Sequence, residues 1–587
     1  MSSLIRVIRR SHPLVLLALP IVLILVGAWL HRWVAEDAFI DFRVVRNIWH
    51  GHGPVFNVGQ RVEVYTDPLW VASLSLVAAV VPFISLEWWS VLLGLLGTGV
   101  GFFYATSAMR RLSRKEASEG RLAVPAGLLM VSCVAVMWDF ATSGLETGMI
   151  FGWIGISWWL LVRSFDGVTS TRRSALIASL GFTIRPDMAL ITVAVVAALW
   201  VIDSSDTPRP TRRQRTSFLA AATAIPILSE LFRVAYFGLF TSNTAIAKSA
   251  SHIWLSQGLT YLWDFVSTYW IPIPLAALFI LVLPRWWALW ANNERRRLLV
   301  MVAPAIGGLA DIAYVVTIGG DFMHGRMLLP GFFSLGAVMW CLVRRDRVHA
   351  IAIGGLAIWS LWSLLGIRYD DGPNFWPTSG VADERSFWIT WSQASHPVTL
   401  TDYKWWVNLK SVVLMKDGRV LTQSKIAQQA IDQKRQILIM NGELFTVSRS
   451  GYPSVLFVTD ASIGVAGYAL PESMHIVDIA SLANPISSHF TLTKRGRPGH
   501  EKQETPPWIL ATYAPRYDHY DDKYFHGQVS AATRAIHCRP LGGYLNNIRG
   551  PYSARVAWNN VLHSLAWTTM SFPADPIAAE QKLCGGN

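Results

Sequence analysis

The sequence predicts an α-helical polytopic membrane protein that ends in a soluble domain of mixed α/β type. Three observations carry this. Of the 587 residues, 52% are hydrophobic and only 15% are charged, a surplus of apolar side chains that a soluble chain could not bury. Long apolar runs recur from residue 13 to residue 367, each bounded by polar turns. Beyond 367 the texture changes to short β-like runs, such as 436–440 and 454–459, punctuated by Gly, Pro and Asn.

The apolar runs fall at 13–34, 67–83, 88–109, 122–140, 147–163, 172–184, 187–202, 217–237, 259–283, 298–318, 327–343 and 348–367. The first follows Arg6, Arg9 and Arg10 as a signal peptide would. It is long and lacks a small-residue cleavage site, so it reads as a retained anchor. Basic clusters at 110–115, 172–173, 212–215, 295–297 and 344–347 mark cytoplasmic ends. They also account for much of the net charge of +13, which in a soluble chain would suggest nucleic acid and here does not. With the N-terminus inside and the tail outside, crossings must be odd in number, about eleven. Either one segment between 67 and 109 fails to cross, or 172–202 is one broken helix. The expected domains are a membrane domain over 1–367, with its chemistry in the first outer loop at 35–66, and a soluble outer domain over 368–587.

Polar residues gather in the turns that this orientation places outside. The first loop opens Ala35-Glu36-Asp37-Ala38-Phe39-Ile40-Asp41, three carboxylates within six residues at a membrane helix end. Asp37 and Asp41 are four apart and share a helix face. The plainer alternative is that Glu36 and Asp37 cap a helix. Later outer turns bring Glu146, Arg185 with Asp187, Asn243 with Lys248, and Asp321 with His324 and Arg326. Such turns suit transfer of a sugar from a lipid phosphate. The leaving phosphate is already anionic and needs cations rather than a general acid, and Arg185, Lys248, His324 and Arg326 are the candidates. A carboxylate must deprotonate the attacking hydroxyl or stabilise an oxocarbenium-like transition state, which points to Asp41 and Asp37. Glu146, Arg61, Asn243, Asp321 and His500 are candidates for holding the substrate. The alternative for the cations is interhelix pairing, Arg185 with Asp187 or Arg326 with Asp321.

No Walker-type phosphate loop, Rossmann glycine fingerprint or zinc-spaced Cys/His cluster occurs, so a nucleotide-driven reaction lacks its usual support. No cofactor is required, although a divalent cation on Asp37, Asp41 or Glu146 is compatible with the pattern. Cys133 and Cys341 lie in apolar runs. Cys538 and Cys584 lie in the polar tail, as a candidate disulfide outside the cytoplasm. Of the 28 Trp, Trp376, Trp388, Trp391, Trp405 and Trp406 crowd the start of the outer domain, either as a sugar-stacking platform or as interfacial and core residues.

The motifs Glu36-Asp37-Ala38-Phe39-Ile40-Asp41-Phe42-Arg43, Gly51-His52-Gly53-Pro54-Val55-Phe56-Asn57, Val64-Tyr65-Thr66-Asp67-Pro68-Leu69-Trp70, Ser143-Gly144-Leu145-Glu146, Arg185-Pro186-Asp187, Ser242-Asn243-Thr244, Gly319-Gly320-Asp321-Phe322-Met323 and Arg497-Pro498-Gly499-His500-Glu501-Lys502 occur in that order. This series, spread from about residue 35 to about 502, resembles the polyprenyl-phosphate-dependent GT-C glycosyltransferases of actinobacteria, and within them the terminal arabinofuranosyltransferases. The resemblance implies a GT-C membrane fold in the cell membrane, with active site and C-terminal domain on the periplasmic side. It implies decaprenyl-phosphoryl-arabinofuranose as donor, and terminal β-(1→2)-linked arabinofuranose on the arabinan of arabinogalactan and lipoarabinomannan as product. Family members often carry Asp-Asp where this chain has Glu36-Asp37, which leaves Asp37 and Asp41 as the stronger acids. A lipid-linked sugar flippase would favour charges at mid-membrane and internal symmetry, whereas here the polar groups gather at outer ends and no half is repeated. A non-catalytic arabinan-binding scaffold would not need five polar turns on one side.

Overall fold

The computed structural model describes residues 13–118, 122–204, 210–249, 252–343, 346–367, 377–403, 414–416, 419–421, 436–440, 443–447, 455–459, 463–472, 474–513 and 525–585. Trp376, Trp405 and Trp406 lie outside the described residues. Helices dominate. Among the described residues seven are long and apolar enough to cross a membrane: Leu86–Leu112, Thr147–Phe165, Pro186–Asp203, Arg212–Phe237, Pro272–Ala291, Arg295–Ile318 and Arg347–Leu365. Val15–Leu30, Pro68–Val80 and Arg326–Val338 are shorter apolar helices. The chain is therefore a mostly helical polytopic membrane protein.

Two of the expected runs are broken, and the boundary between two others has a local cause. The 122–140 run divides into Ala126–Ser132 and Ala135–Ala141. The 172–202 stretch breaks at Arg185, which is extended at φ −162° and ψ 138°. Pro186 follows it, and the proline ring excludes helical geometry from the preceding residue. The 259–283 run, expected as one crossing, is two helices, Leu255–Thr268 and Pro272–Ala291. Trp270 turns the chain at φ 53°, and Pro272 opens the second helix, where its missing N–H leaves no bond unmade.

The chain forms two compact units that do not follow a cut at residue 367. One comprises 1–34, 88–227 and 253–388, and the other 35–87, 228–252 and 389–587. In the first unit the Leu86–Leu112 and Thr147–Phe165 helices touch backbone to backbone. A Cβ on Gly97 would lie 2.5 Å from the carbonyl oxygen of Gly148, and one on Gly155 would lie 2.3 Å from that of Gly101. Small residues are what allow such close packing where water supplies no drive to associate.

In the second unit a four-stranded sheet runs in the order Glu443–Val447, Gln436–Met440, Val455–Thr459, His475–Asp478. The first pair is antiparallel and the other two pairs are parallel. The Ile463–Ala469 helix crosses between the last two strands, as parallel pairing demands. The first loop grips both ends of this helix. Glu36 Oε1 accepts from Val465 N at 2.8 Å at its N-terminus. At its C-terminus Arg43 donates to the carbonyl of Gly467 and Arg46 to those of Tyr468 and Leu470, and Arg43 also reaches the Met474 carbonyl just before the next strand. A negative group at the N-terminus and cations at the C-terminus match the helix dipole. These contacts tie the start of the first loop to the C-terminal domain within the second unit. That domain's core gathers Phe490, Trp508, Tyr544, Trp567 and Phe572, and Cys538 is disulfide-bonded to Cys584.

Two expectations follow. A Cβ at Gly464 would fall 2.0 Å from the Glu36 carbonyl oxygen, a backbone atom that cannot swing away. Gly464→Ala should therefore lower the thermal unfolding temperature of the detergent-purified protein, whereas Gly543→Ala, which meets nothing within 4 Å, should not. The second concerns Glu504, which is buried and hydrogen-bonded to Asn484 at 2.5 Å. Burial pushes its carboxyl from 4.5 up to about 8. A raised acid stabilises the fold fully below its unfolded value and loses that contribution as pH rises to its folded value. The unfolding temperature should thus fall between about pH 5 and about pH 8, and Glu504→Gln should flatten that fall.

Candidate functional site

In the first unit the turns between apolar helices carry a connected set of buried charges. Pro186 holds Arg185 extended between two helices, aimed at carboxylates on both sides. Its Nε and Nη2 donate to the two oxygens of Asp187, each at 2.7 Å, and its Nη1 donates to Glu146 at 3.0 Å. The planar guanidinium fork fits a carboxylate in this bidentate way. Glu146, at the N-cap of the Thr147–Phe165 helix, also faces Arg326 at 3.4 Å. Burial pushes the Glu146 carboxyl up, but Arg326 and Arg185 outweigh it and hold the group below its ordinary range. Arg326 lies 3.7 Å from Asp321, whose other oxygen accepts from Phe322 N at 2.9 Å. Both ion pairs that the sequence allowed as the alternative, Arg185 with Asp187 and Arg326 with Asp321, are present.

His324 pairs with Asp264, Nδ1 to Oδ2, at 2.5 Å. Tyr261 fixes the same turn by donating to the Met323 carbonyl at 2.9 Å and accepting from Met327 N at 3.0 Å. Beside His324 is a cavity of about 20 Å³, lined by Asp139, Asp383 and Arg385 among others, with room for one water. Asp139 contacts His31 at 2.9 Å and Arg385 at 3.5 Å. Burial first, and Asp139 second, push the Asp383 carboxyl up. His324, paired with Asp264, and the carboxylates of Asp139, Asp383 and Glu384 around a water-sized space can hold and move protons. Asp264, Asp139, Asp383, Arg385 and His31 escaped the sequence reading. Asp264 carried a signal, as the one charge of an otherwise uncharged helix. Asp383 and Arg385, in a polar stretch, carried none.

In the second unit Asp37 is the N-cap of the Ala38–Trp49 helix, half-buried and without a side-chain capping bond. Asp41 is buried one turn further on, on the same face. Glu36 serves the Ile463–Ala469 helix instead. Arg61 donates to the carbonyls of Gly550 and Asn547 at the end of the Leu541–Arg549 helix, between the rings of Tyr236 and Tyr552. Asn243 is wholly buried. Its amide donates to the carbonyls of Ser481, Leu482 and Asn484, and its oxygen accepts from Ser488. Lys248 caps the short Asn243–Ala247 helix and pulls down on Glu501, whose carboxyl burial nonetheless pushes up to about 7. His500 closes a tight turn with Arg497, its N–H donating to the Arg497 carbonyl at 2.9 Å. Lys502, next to this turn, donates to the Ile246 and Ser488 carbonyls. Among the described residues no three His, Cys, Asp or Glu side chains gather as metal ligands.

Fold and charge placement together define a polytopic membrane protein with cations and acid–base groups built into its inter-helix turns. Comparison with known proteins narrows this. Residues 443–582 match the AftB family C-terminal domain. The chain is 29% identical to the terminal β-(1→2)-arabinofuranosyltransferase of Mycobacterium tuberculosis, over 92% of this chain and 92% of that protein. It is 27% identical to the enzyme of the same name from Corynebacterium glutamicum, over 83% of this chain and 75% of the relative. No solved structure matches.

Removing one member of a buried ion network strands the others. Arg185→Gln, which leaves Asp187 and Glu146 short of their main partner, should cost about 3–5 kcal/mol. Arg326→Gln should cost clearly less, because Glu146 keeps Arg185. Thermal unfolding of the two variants in detergent checks the order.

Proposed function

We propose that this chain is a membrane arabinofuranosyltransferase of cell-wall biosynthesis that adds terminal β-(1→2)-linked arabinofuranose. The observation that carries this is the likeness to two proteins of that name across both the membrane and the soluble parts of the chain, with the AftB C-terminal domain among the matched regions. The finer reading is a GT-C arrangement of about eleven crossings. The donor is decaprenyl-phosphoryl-arabinofuranose, and the acceptor is the non-reducing ends of arabinan in arabinogalactan and lipoarabinomannan, bound by the soluble domain on the periplasmic side. A polyprenyl donor lives in the bilayer, which suits a polytopic enzyme.

Asp41 and Asp37 are assigned the catalysis. With a β-linked donor and a β-linked product the reaction retains configuration. It runs either through a carboxylate nucleophile and a covalent glycosyl-enzyme, or by same-face attack with the departing phosphate as base. Among the phosphate-binding candidates Arg326 stands first. Its contacts with Glu146 and Asp321, at 3.4 and 3.7 Å, are long enough for a phosphate to compete with, whereas Arg185 is chelated by Asp187 at 2.7 Å and positions Glu146. His324 and Lys248 remain candidates for the same charge, and Glu146, Asp321 and His500 for the sugar. Arg61, whose two terminal nitrogens donate to backbone carbonyls, and Asn243, whose amide nitrogen does, are assigned to holding the fold. No cofactor is assigned, since phosphate leaves without one.

The test is transfer from synthetic decaprenyl-phosphoryl-arabinose to a short arabinan in membranes, with product linkage read by NMR. Asp41→Asn or Asp37→Asn should lower the rate about a hundredfold or more while the protein still inserts and elutes as wild type. Undiminished transfer in both variants would move the chemistry to another loop. Wild-type protein that binds arabinan but transfers nothing would overturn the enzyme reading.

A further inference from the structure

At the ends of three membrane helices in the first unit lies a concave space of about 1060 Å³ that none of the preceding chemistry uses. Its walls come from the C-terminal ends of Leu86–Leu112 and Thr147–Phe165, the short Arg114–Ser118 helix and the N-terminal turn of Arg295–Ile318. Six cations and two carboxylates line it. Both carboxylates are spent on the framework: Asp166 pairs with Arg111, and Glu294 pairs with Arg297 at 3.2 Å. Arg297 also donates to the Leu112 carbonyl at 2.6 Å and reaches Glu116 at 3.3 Å, which in turn holds Arg285 at 2.8 Å. These contacts tie the helix ends into a fixed wall.

The other four cations, Arg114, Lys115, Arg295 and Arg296, have no carboxylate within 4 Å among the described residues. Orientation of the chain by its basic loops explains why cations occur at these helix ends. It does not explain why Asp166, Glu294 and Glu116 are each taken up by Arg111, Arg297 or Arg285 while four like charges line one hollow. Like charges so gathered repel, and an anion relieves them. The hollow also receives the first turn of a 24-residue helix whose N-cap makes no side-chain bond, so its N–H groups and dipole add to the same field. Arg295 lies over the ring of Trp290 at 4.8 Å, and Trp290 is exposed, as an aromatic at a membrane interface is.

We propose that this hollow binds the phosphate-bearing headgroup of an anionic phospholipid. The ligand chemistry is a phosphate anion, and the lipid is favoured as its source because the hollow opens at the ends of membrane-crossing helices, where headgroups lie at high local concentration. The acyl chains then lie along the apolar flanks of those helices.

The test is native mass spectrometry of the full-length protein from detergent, titrated with phosphatidylglycerol, with phosphatidylcholine, or with soluble glycerol phosphate. Wild type should retain phosphatidylglycerol in a saturable one-to-one complex and keep little phosphatidylcholine. Arg114→Gln/Lys115→Gln/Arg296→Gln, which removes exposed and unpaired cations and spares the framework, should weaken retention about tenfold or more. The control is Arg212→Gln/Arg213→Gln/Arg215→Gln, which removes as many exposed cations from a helix end that does not line the hollow, and it should bind as wild type. Equal loss in both variants would reduce the effect to general surface charge and overturn the site. Saturable binding of glycerol phosphate as tight as that of the lipid would overturn the lipid as source, and no preference over phosphatidylcholine would overturn the proposal altogether.

Discussion

A charge taken out of water must be met by something, and much of this structure follows from how its buried charges are met. Arg43 shows the constraint most plainly. It is wholly buried and is met by carbonyl oxygens of Phe56, Gly467 and Met474 rather than by a carboxylate. Two of those carbonyls belong to a segment more than four hundred residues away in sequence, so satisfying one guanidinium joins the first loop to the C-terminal domain. Arg46 and Glu36 extend the same join, one to each end of the helix that connects two strands of the sheet. A loop that sequence order would assign to the membrane part thereby belongs to the second unit.

In the first unit the same constraint is met with opposite charges, because the turns there lie between apolar helices. Arg185 has carboxylates on three of its donors. Such a network need not stabilise the fold relative to an apolar core, but it fixes where each member points. Glu146 is held by two guanidinium groups of unequal grip, tightly by Arg185 and loosely by Arg326. The two grips differ in length, 3.0 Å against 3.4 Å. On the helix ends lined with Arg and Lys the bookkeeping is left open, with cations in excess and a hollow in front of them.

The residues most legible in the sequence were those whose chemistry is improper to their surroundings. Asp37, Asp41, Glu146, Arg185 and Arg326 stand at ends of apolar runs, and a charge there needs a reason. The Arg185-Pro186 pair announced its own break, since a residue before proline leaves the helix. Asp139 and Asp264 obeyed the same rule and were passed over because each sits alone within a run counted as a crossing. Arg61 and Asn243 looked like ligand contacts because both are polar residues in an outer turn. Their partners turned out to be helix-end and turn carbonyls, and a carbonyl leaves no trace in the sequence. Asp383 and Arg385 lie in a stretch where polar residues are ordinary, so only their position beside Asp139 distinguishes them.

By itself the sequence determined the class of the protein and the location of its charged turns. Hydrophobic content and charge spacing are properties of the chain, and a bilayer reads them locally, one helix at a time. The tertiary structure decided which charge meets which. It gave Glu36 to the Ile463–Ala469 helix rather than to its own, and it set Arg185 fast while leaving Arg326 loosely held. Hydrogen bonds and ion pairs act over about 3 Å, and only the folded chain brings residues so distant in sequence that close.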